Sequence, residues 1–286
     1  MDTKVTLTAH RGYRQKFPEN TMIAFKEALK LDIDAIEIDV HMTNDYHVVI
    51  CHDATLQRTT DKEGHIFDRS LAQVKEADAG IKFGEQFKGE RVPELTELLE
   101  LLKDRPDVKL LLELKDYPEE IGDFAYVSCN KTLQLCKEYG VWGPDRLTVI
   151  TFSACLMHWI RNKFTDHVVL HGFFPKSCMK GTDIVDPYPY MDEVCLFARS
   201  GMDKSVDCRR WWANNDGKTA SPVVEKIHFD DFKIMDIKPC VYFAWNVNEE
   251  DYKKAFENGA LGFTCDDPYT CGIILDKIGA RKLKKV

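Results

Sequence analysis

Residues 35–40 read Ala-Ile-Glu-Ile-Asp-Val, a short apolar run interrupted at Glu37 and Asp39. A run of this length and composition is typical of a strand, and residues two apart on a strand lie on the same face. Both carboxylates therefore point the same way. Two carboxylates side by side in a core lose several kcal/mol each through desolvation unless a cation lies between them. The alternative is a solvent-facing stripe on an edge strand.

A second run, Leu-Leu-Leu-Glu-Leu-Lys at residues 110–115, ends with Glu113 and Lys115 on one face. Parallel strands buried on both sides are apolar, so charges at their carboxyl ends mark the functional face of a barrel. Glu113 completes a set of three carboxylates with Glu37 and Asp39, which suits Mg²⁺ or Ca²⁺. Lys115 could alternatively do no more than form a salt bridge with Glu113.

On either side of these two runs, short β-branched runs alternate with longer amphipathic segments, which predicts an α/β fold of the (β/α)₈ TIM-barrel type. We predict a single domain over residues 1–286, with a small insertion at about 53–93 after the second barrel strand. Residues 48–51 should extend the second strand rather than add a ninth one to the barrel. Residues 176–219 give no clear assignment. The other expected elements are strands at 6–9, 147–151, 168–173, 241–245 and 261–264, and helices at 21–31, 95–103, 130–139 and 251–258.

Composition narrows the class of function. The net charge of −8 argues against nucleic acid and anionic membranes as partners. The ten cysteines are scattered without a Cys-x-x-Cys pair, and no apolar stretch reaches membrane-spanning length. We therefore expect reduced thiols, a cytoplasmic location and no stable membrane insertion. The oligomeric state is not predicted.

Two histidines follow strands at matching positions. His10 ends the first strand, and His52 follows residues 48–51. Either one alone could be an ordinary hydrogen-bonded residue, but two beside a carboxylate cluster favour general acid–base catalysis. Arg11 adds a planar cation suited to phosphate oxygens. Anion binding, charge neutralisation and paired proton transfer are the requirements of phosphodiester cleavage.

A binuclear amidohydrolase-like barrel is the main competitor. Its first strand should carry two metal-binding histidines one residue apart, but the residue two after His10 is Gly12. The predicted metal site is therefore rich in carboxylates, which favours hard cations over zinc. His41 has no assigned role.

Nine short motifs occur in order between about residue 7 and about residue 270. They are His10-Arg11-Gly12, Pro18-Glu19-Asn20-Thr21, Ile36-Glu37-Ile38-Asp39-Val40, His52-Asp53, Leu56-Gln57-Arg58-Thr59-Thr60, Val92-Pro93-Glu94-Leu95, Glu113-Leu114-Lys115, Trp245-Asn246-Val247-Asn248 and Asp266-Asp267-Pro268. This series resembles the motifs of the glycerophosphodiester phosphodiesterases, which implies a small-molecule substrate. Two positions depart from the family pattern, with Tyr46 at a usual glycine and Cys265 at a usual threonine.

The resemblance implies a (β/α)₈ barrel that hydrolyses glycerophosphodiesters to an alcohol and sn-glycerol 3-phosphate, through a cyclic phosphate. It implies a divalent cation, Mg²⁺ or Ca²⁺, together with a set of residue roles. His10 and His52 would be the acid–base pair, Glu37, Asp39 and Glu113 the metal ligands, Arg11 and Lys115 the phosphate contacts, and Trp245 part of the pocket wall.

Two alternatives stay open. One is a lysophospholipase D or phospholipase D-like activity on lysophospholipids. The other is a barrel that binds phosphate without catalysis, although such a module would have no reason to keep both histidines and all three acids.

Overall fold

Eight parallel strands close into a barrel in the computed structural model, which describes residues 5–196, 226–243 and 248–283. The strand order around the barrel is β1-β9-β8-β7-β6-β5-β4-β2, and pairing of β1 with β2 closes it. This confirms the predicted (β/α)₈ fold. The barrel strands are β1 (Thr6–His10), β2 (Ala35–Met42), β4 (Lys109–Leu114), β5 (Leu147–Thr151), β6 (Val169–Phe174), β7 (Glu193–Leu196), β8 (Lys238–Phe243) and β9 (Gly262–Cys265).

Helices follow most of these strands on the outside. The apolar stripe of Leu95–Lys103, with Leu95, Leu98, Leu99 and Leu102 buried, shows why an amphipathic segment forms a helix against the sheet. The described helices are α1 (Met22–Ala28), α2 (Leu71–Lys75), α3 (Leu95–Lys103), α4 (Pro118–Ile121), α5 (Phe124–Glu138), α6 (Ala154–Lys163), α7 (Lys226–Ile234), α8 (Glu249–Asn258) and α9 (Pro268–Lys277).

The ninth strand, β3 (Val48–Ile50), pairs antiparallel with the end of β2 and lies outside the barrel. This agrees with the prediction that residues 48–51 extend the second strand. The chain then runs through residues 53–93, whose apolar side chains form a second, smaller hydrophobic cluster that includes Leu56, Ile66 and Val74. Because β3 leads directly into this segment, His52 lies where the barrel meets the small cluster.

Two strands differ from expectation because polar residues occupy the lower layer of the barrel interior. β7 begins at Glu193 within the unassigned stretch, and β8 begins at Lys238 rather than at Val241. Glu193 accepts hydrogen bonds inside the barrel from Lys238 at 3.2 Å and pairs with His171 at 3.2 Å. Charged residues that neutralise one another inside a barrel do not produce the apolar pattern by which a strand is recognised.

Candidate active site

Parallel register brings the carboxylates together. His10 lies opposite Glu37 across β1 and β2, and Asp39 lies opposite Glu113 across β2 and β4. Carboxylate oxygens of Glu37, Asp39 and Glu113 lie within 4.8 Å of one another, and all three residues are buried. The acids therefore face the barrel interior and do not form a solvent-facing stripe.

Two cations border this carboxylate cluster. Lys115 Nζ lies 2.6 Å from Glu113 Oε1 and 3.1 Å from Asp39 Oδ1, while Arg11 Nε lies 3.1 Å from Asp39 Oδ2. Burial opposes the effect, yet Lys115 and Arg11 hold the pKa of Asp39 well below its usual range. Lys115 therefore forms the salt bridge with Glu113 that was the simpler interpretation of its position, and it faces the cavity as well.

The pKa values of Glu37 and Glu113 shift upward, in the opposite direction to that of Asp39. Burial, followed by the neighbouring carboxylate of Asp39, raises the pKa of Glu37 well above its ordinary value. Burial also raises the pKa of Glu113, although Lys115 opposes that shift. With all three acids ionised, the two cations would leave excess negative charge in a buried site, and hard oxygen donors in that state match the preference of Mg²⁺ or Ca²⁺. The donor set therefore fits the divalent cation inferred from sequence.

Both predicted histidines hold a carboxylate through Nδ1. His10 Nδ1 lies 2.6 Å from Asp266 Oδ1, and His52 Nδ1 lies 2.5 Å from Asp53 Oδ1. An ionised carboxylate only accepts hydrogen bonds, so Nδ1 carries the proton and Nε2 of each neutral ring is the basic atom. Burial, aided by Arg11, lowers the pKa of His10 to about 4 and that of His52 to about 3.

A cavity of about 530 Å³ joins these groups. Of the predicted site residues, Trp245 lies outside the described residues and Asp39 lies beneath the cavity floor. The cavity lining includes His10, Arg11, Glu37, His52, Glu113 and Lys115.

The opposite wall is largely apolar and was not predicted. Phe152 and Phe173 stack there with ring centroids 3.5 Å apart. Lys180 adds a cation at this wall, 5.3 Å from the ring centroid of Tyr117. Tyr242, also not predicted, lies on the histidine side of the cavity, with its ring centroid 4.6 Å from that of His10. These residues follow or end barrel strands β4 to β8, but single aromatic residues there have no distinctive spacing.

The groups that hold the carboxylates in place were also not predicted, although several of them lie in the sequence motifs of the family. Asn20 donates to Asp39 Oδ2 at 2.9 Å, and the backbone N–H of Arg11 donates to Glu37 Oε2 at 3.0 Å. Arg11 and Asn20 have positive φ angles of 53° and 56°. Their place in short ordered motifs was the available signal, but a pairing across strands cannot be deduced from one sequence.

His41 supports His52 from behind. Its Nδ1 lies 2.7 Å from Asp116 Oδ1, and its Nε2 lies 3.3 Å from the backbone oxygen of His52. Asp116 Oδ2 also accepts from the Met42 backbone N–H at 2.9 Å and from Ser128 Oγ at 2.6 Å. This buried cluster connects β2 to α5, so His41 has a structural role.

Asp116→Ala is expected to lower the free energy of unfolding by about 3 kcal/mol, because it leaves buried donors of His41, Met42 and Ser128 without an acceptor. Urea denaturation measures the change. The exposed Asp123 on the same segment provides the control, and Asp123→Ala should change the free energy of unfolding by less than about 0.5 kcal/mol. Equal effects of the two variants would contradict the assignment.

A second group of possible ligands, His171, Glu193 and Cys240, lies deeper in the barrel. Lys238 Nζ lies 3.2 Å from Glu193 Oε1 and supplies the positive charge there. Burial raises the pKa of the Cys240 thiol to about 12. A protonated thiol and a lysine-paired carboxylate are poor metal ligands, so this group has a structural explanation.

Residues 10–175 match the model of the glycerophosphoryl diester phosphodiesterase family, which is more than half of the chain. The chain belongs to this family. A glycerophosphodiester phosphodiesterase of Caldanaerobacter subterraneus is 49% identical over 151 residues, which cover 52% of this chain and 59% of that protein. One from Bacillus altitudinis is 41% identical over 108 residues, covering 38% of this chain and 44% of that protein. The chain spans about half the length of the curated relatives it matches.

Solved structures of the family share the fold. A glycerophosphodiester phosphodiesterase from Agrobacterium tumefaciens superposes with a TM-score of 0.63 at 21% identity, covering 92% of this chain and 97% of that one. A phosphodiesterase from Oleispira antarctica, solved in complex with the product sn-glycerol-3-phosphate, gives a TM-score of 0.72 at 22% identity and covers 95% and 96% of the two chains. These similarities show that this chain shares the barrel fold of the family structures.

The nine described cysteines of this family member are free thiols. Within the described ranges, no helix combines the length and apolar character needed to cross a bilayer.

Proposed function

We propose that this protein is a metal-dependent phosphodiesterase that hydrolyses glycerophosphodiesters to an alcohol and sn-glycerol 3-phosphate. One observation carries the proposal: two histidines, each with Nδ1 on a carboxylate, line the same cavity as Arg11, Lys115 and the carboxylate cluster. The names of the relatives, and the product bound in the Oleispira structure, support the same substrate class.

The histidines would move two protons. Nε2 of one ring takes the proton of the glycerol hydroxyl next to the phosphodiester, and that oxygen attacks phosphorus. Nε2 of the other ring gives a proton to the departing alcohol, leaving a cyclic glycerol phosphate. Water then opens the ring with the two histidines in reversed roles. The anionic substrate beside Nε2 raises the pKa of the histidine that acts as the acid, offsetting the effect of burial.

Arg11 and Lys115 would bind the phosphoryl oxygens. Both cations line the cavity, and both are anchored from below by Asp39, which fixes their positions before substrate arrives. Cations placed in advance stabilise charge that develops on the phosphoryl oxygens in the transition state. Trp245, outside the described residues, keeps its proposed place in the pocket wall.

Glu37, Asp39 and Glu113 would hold the divalent cation. When bound, the metal neutralises charge on the phosphoryl group as a Lewis acid. The three acids are oxygen donors on neighbouring strands, and burial together with the carboxylates of Asp39 and Glu113 raises the pKa of Glu37, an effect that a bound cation would oppose. Mg²⁺ and Ca²⁺ both suit this chemistry.

A lysophospholipid is the second candidate substrate, because one wall of the cavity is apolar. Ile150, Phe152 and Phe173 face the side opposite the histidines, where an alcohol group would leave. Apolar side chains of this kind offer a surface against which an acyl chain can pack. The phosphodiester chemistry would be the same for both substrates.

A panel of glycerophosphocholine, glycerophosphoethanolamine and lysophosphatidylcholine, with products identified by ³¹P NMR, distinguishes these candidates. We expect sn-glycerol 3-phosphate from the first two, preceded by a transient cyclic phosphate. Lysophosphatidic acid from the third would identify the lipid as a substrate. Complete inactivity on the panel in Mg²⁺ and in Ca²⁺ would contradict the proposed function.

We further propose that the barrel acts as one domain, with residues 53–93 as an elaboration beside His52. The cytoplasmic location remains a prediction from the sequence, as does the absence of a nucleic-acid partner.

A further inference from the structure

The carboxylates that hold the two histidines are themselves connected through arginines. Asp266 Oδ1, which contacts His10, lies 3.5 Å from Arg14 Nη1. Arg14 Nη2 in turn lies 3.0 Å from Glu19 Oε2. Arg14 Nη1 also lies 3.3 Å from His10 Nδ1 itself. The first arm therefore connects His10 to Glu19 through Arg14, both directly and by way of Asp266.

A matching arm begins at the other histidine. Asp53 contacts His52 and accepts from Arg58 Nε at 2.6 Å and from Arg58 Nη2 at 3.2 Å. Arg58 Nη2 also donates to Glu19 Oε1 at 2.8 Å. The second arm again contains one acid and one arginine, and it ends on the same carboxylate.

Glu19 is the point at which the arms meet. It also accepts from Arg11 Nη1 at 2.8 Å, so three guanidinium groups surround one carboxylate whose side chain is only 11% exposed. Burial opposes ionisation, but Arg11 and Arg14 hold the pKa of Glu19 well below its usual range. Along both arms, negative and positive groups alternate, so each charge is neutralised by its neighbours.

Alternating charges of this kind fix the orientation of the side chains as well as stabilising them. Arginine presents its donors in a rigid planar fork, so a displacement of Glu19 is passed on to Asp53 and Asp266. Those two carboxylates determine the orientation of the imidazoles, as carboxylate partners do for metal-bound and catalytic histidines. Arg11 would keep its second anchor on Asp39 Oδ2 at 3.1 Å if Glu19 were changed.

We propose that Glu19 is a shared positioning residue, which holds both histidines in position through two arms that each contain one acid and one arginine. This inference rests on the proposed function and deepens it. Neither arm alone explains why a carboxylate with three arginines lies between the two histidines. A substitution in one arm and a substitution at Glu19 should therefore lower activity in the same way, by changing the orientation of a histidine.

Glu19→Gln should lower kcat by about 30-fold and Arg58→Gln by about 10-fold, with KM changed less than about threefold because Asp39 still holds Arg11. The double variant should remain within about threefold of Glu19→Gln. Independent sites would multiply to a loss of about 300-fold. Because Arg58 is half exposed, its substitution should leave the protein folded even if Glu19→Gln does not.

Glu94→Gln is the control, since Glu94 holds His47 at 2.8 Å, as Asp53 holds His52, but lies away from the cavity. It should leave kcat within about twofold. ¹⁵N NMR of the imidazoles adds a readout that needs no turnover: the Nδ1–H resonances of both His10 and His52 should move in Glu19→Gln, and only that of His52 in Arg58→Gln.

Multiplicative losses in the double variant, or unchanged Nδ1–H resonances in Glu19→Gln, would overturn the inference. An inactive wild-type enzyme with the expected resonance shifts would contradict the proposed function instead, so the two failures are distinguishable.

Discussion

His10→Asn and His52→Asn are each expected to lower kcat by about 10³-fold, while the melting temperature changes little. The asparagine amide can still donate to Asp266 or Asp53, as Nδ1 does at 2.6 Å and 2.5 Å, but the variant has no atom at Nε2. A general acid or base in this position contributes about 10²–10⁴-fold to the rate. Steady-state kinetics on glycerophosphocholine and a thermal melt of each variant give the measurement.

Leaving-group chemistry then separates the two roles. The p-nitrophenyl ester of glycerol 3-phosphate releases a phenolate that needs no proton, so the variant lacking the general acid should recover most of its activity on that substrate. The variant lacking the base should not. His47→Asn serves as the control, because His47 pairs with Glu94 outside the cavity. Full activity of both site variants on glycerophosphocholine would exclude the proposed mechanism.

Removal of the divalent cation is expected to abolish activity. Treatment with EDTA should reduce kcat by about 10³-fold, equivalent to about 4 kcal/mol of transition-state stabilisation, and Mg²⁺ or Ca²⁺ should restore it. Asp39→Asn should not be restored, because Asp39 is shared between the carboxylate cluster and the two cations that we propose bind phosphate, Arg11 and Lys115. Activity that is insensitive to chelation would remove the metal from the mechanism.

Thermal stability tests the same site without turnover. A cation that binds only the folded protein raises the melting temperature, and the rise grows with the logarithm of the cation concentration once that exceeds the Kd. We expect such a rise on adding Mg²⁺ or Ca²⁺ to the wild type, and its loss in Glu37→Gln and Glu113→Gln. Glu193→Gln is the control, since Glu193 is a buried acid paired with Lys238 in a separate cluster. Loss of the rise in this variant alone would contradict the proposed ligands.

The alternation of side chains along a strand was sufficient to predict the position of the acids. Glu37 and Asp39 share a face because they are two apart, and a parallel neighbour in register adds Glu113. These are local rules combined with one rule of barrel topology, so a single sequence contains the information. The helix at residues 95–103 was predictable for the same reason, since its leucine spacing is local.

Other parts depend on contacts that no local rule specifies. β7 was missed because it has only four residues and begins with a charged one, Glu193, whose burial is explained only by Lys238 and His171 from other strands. The start of α5 at Phe124 precedes the predicted start at 130, because aromatic and polar residues in its first turns obscure the helical pattern. The acid–arginine arms were missed likewise, since Asp266 lies far along the chain from Arg14.

The contact between His10 and Asp266 joins residues 256 positions apart, at the seam where β9 meets β1. Loop-closure entropy makes contacts of such separation late events in folding. A chain that has built β1 through β8 already contains His52 and all three acids, but lacks the partner that orients His10. Catalytic competence should therefore appear only when the barrel closes, and recovery of turnover during refolding would follow that final docking step rather than the earlier growth of secondary structure.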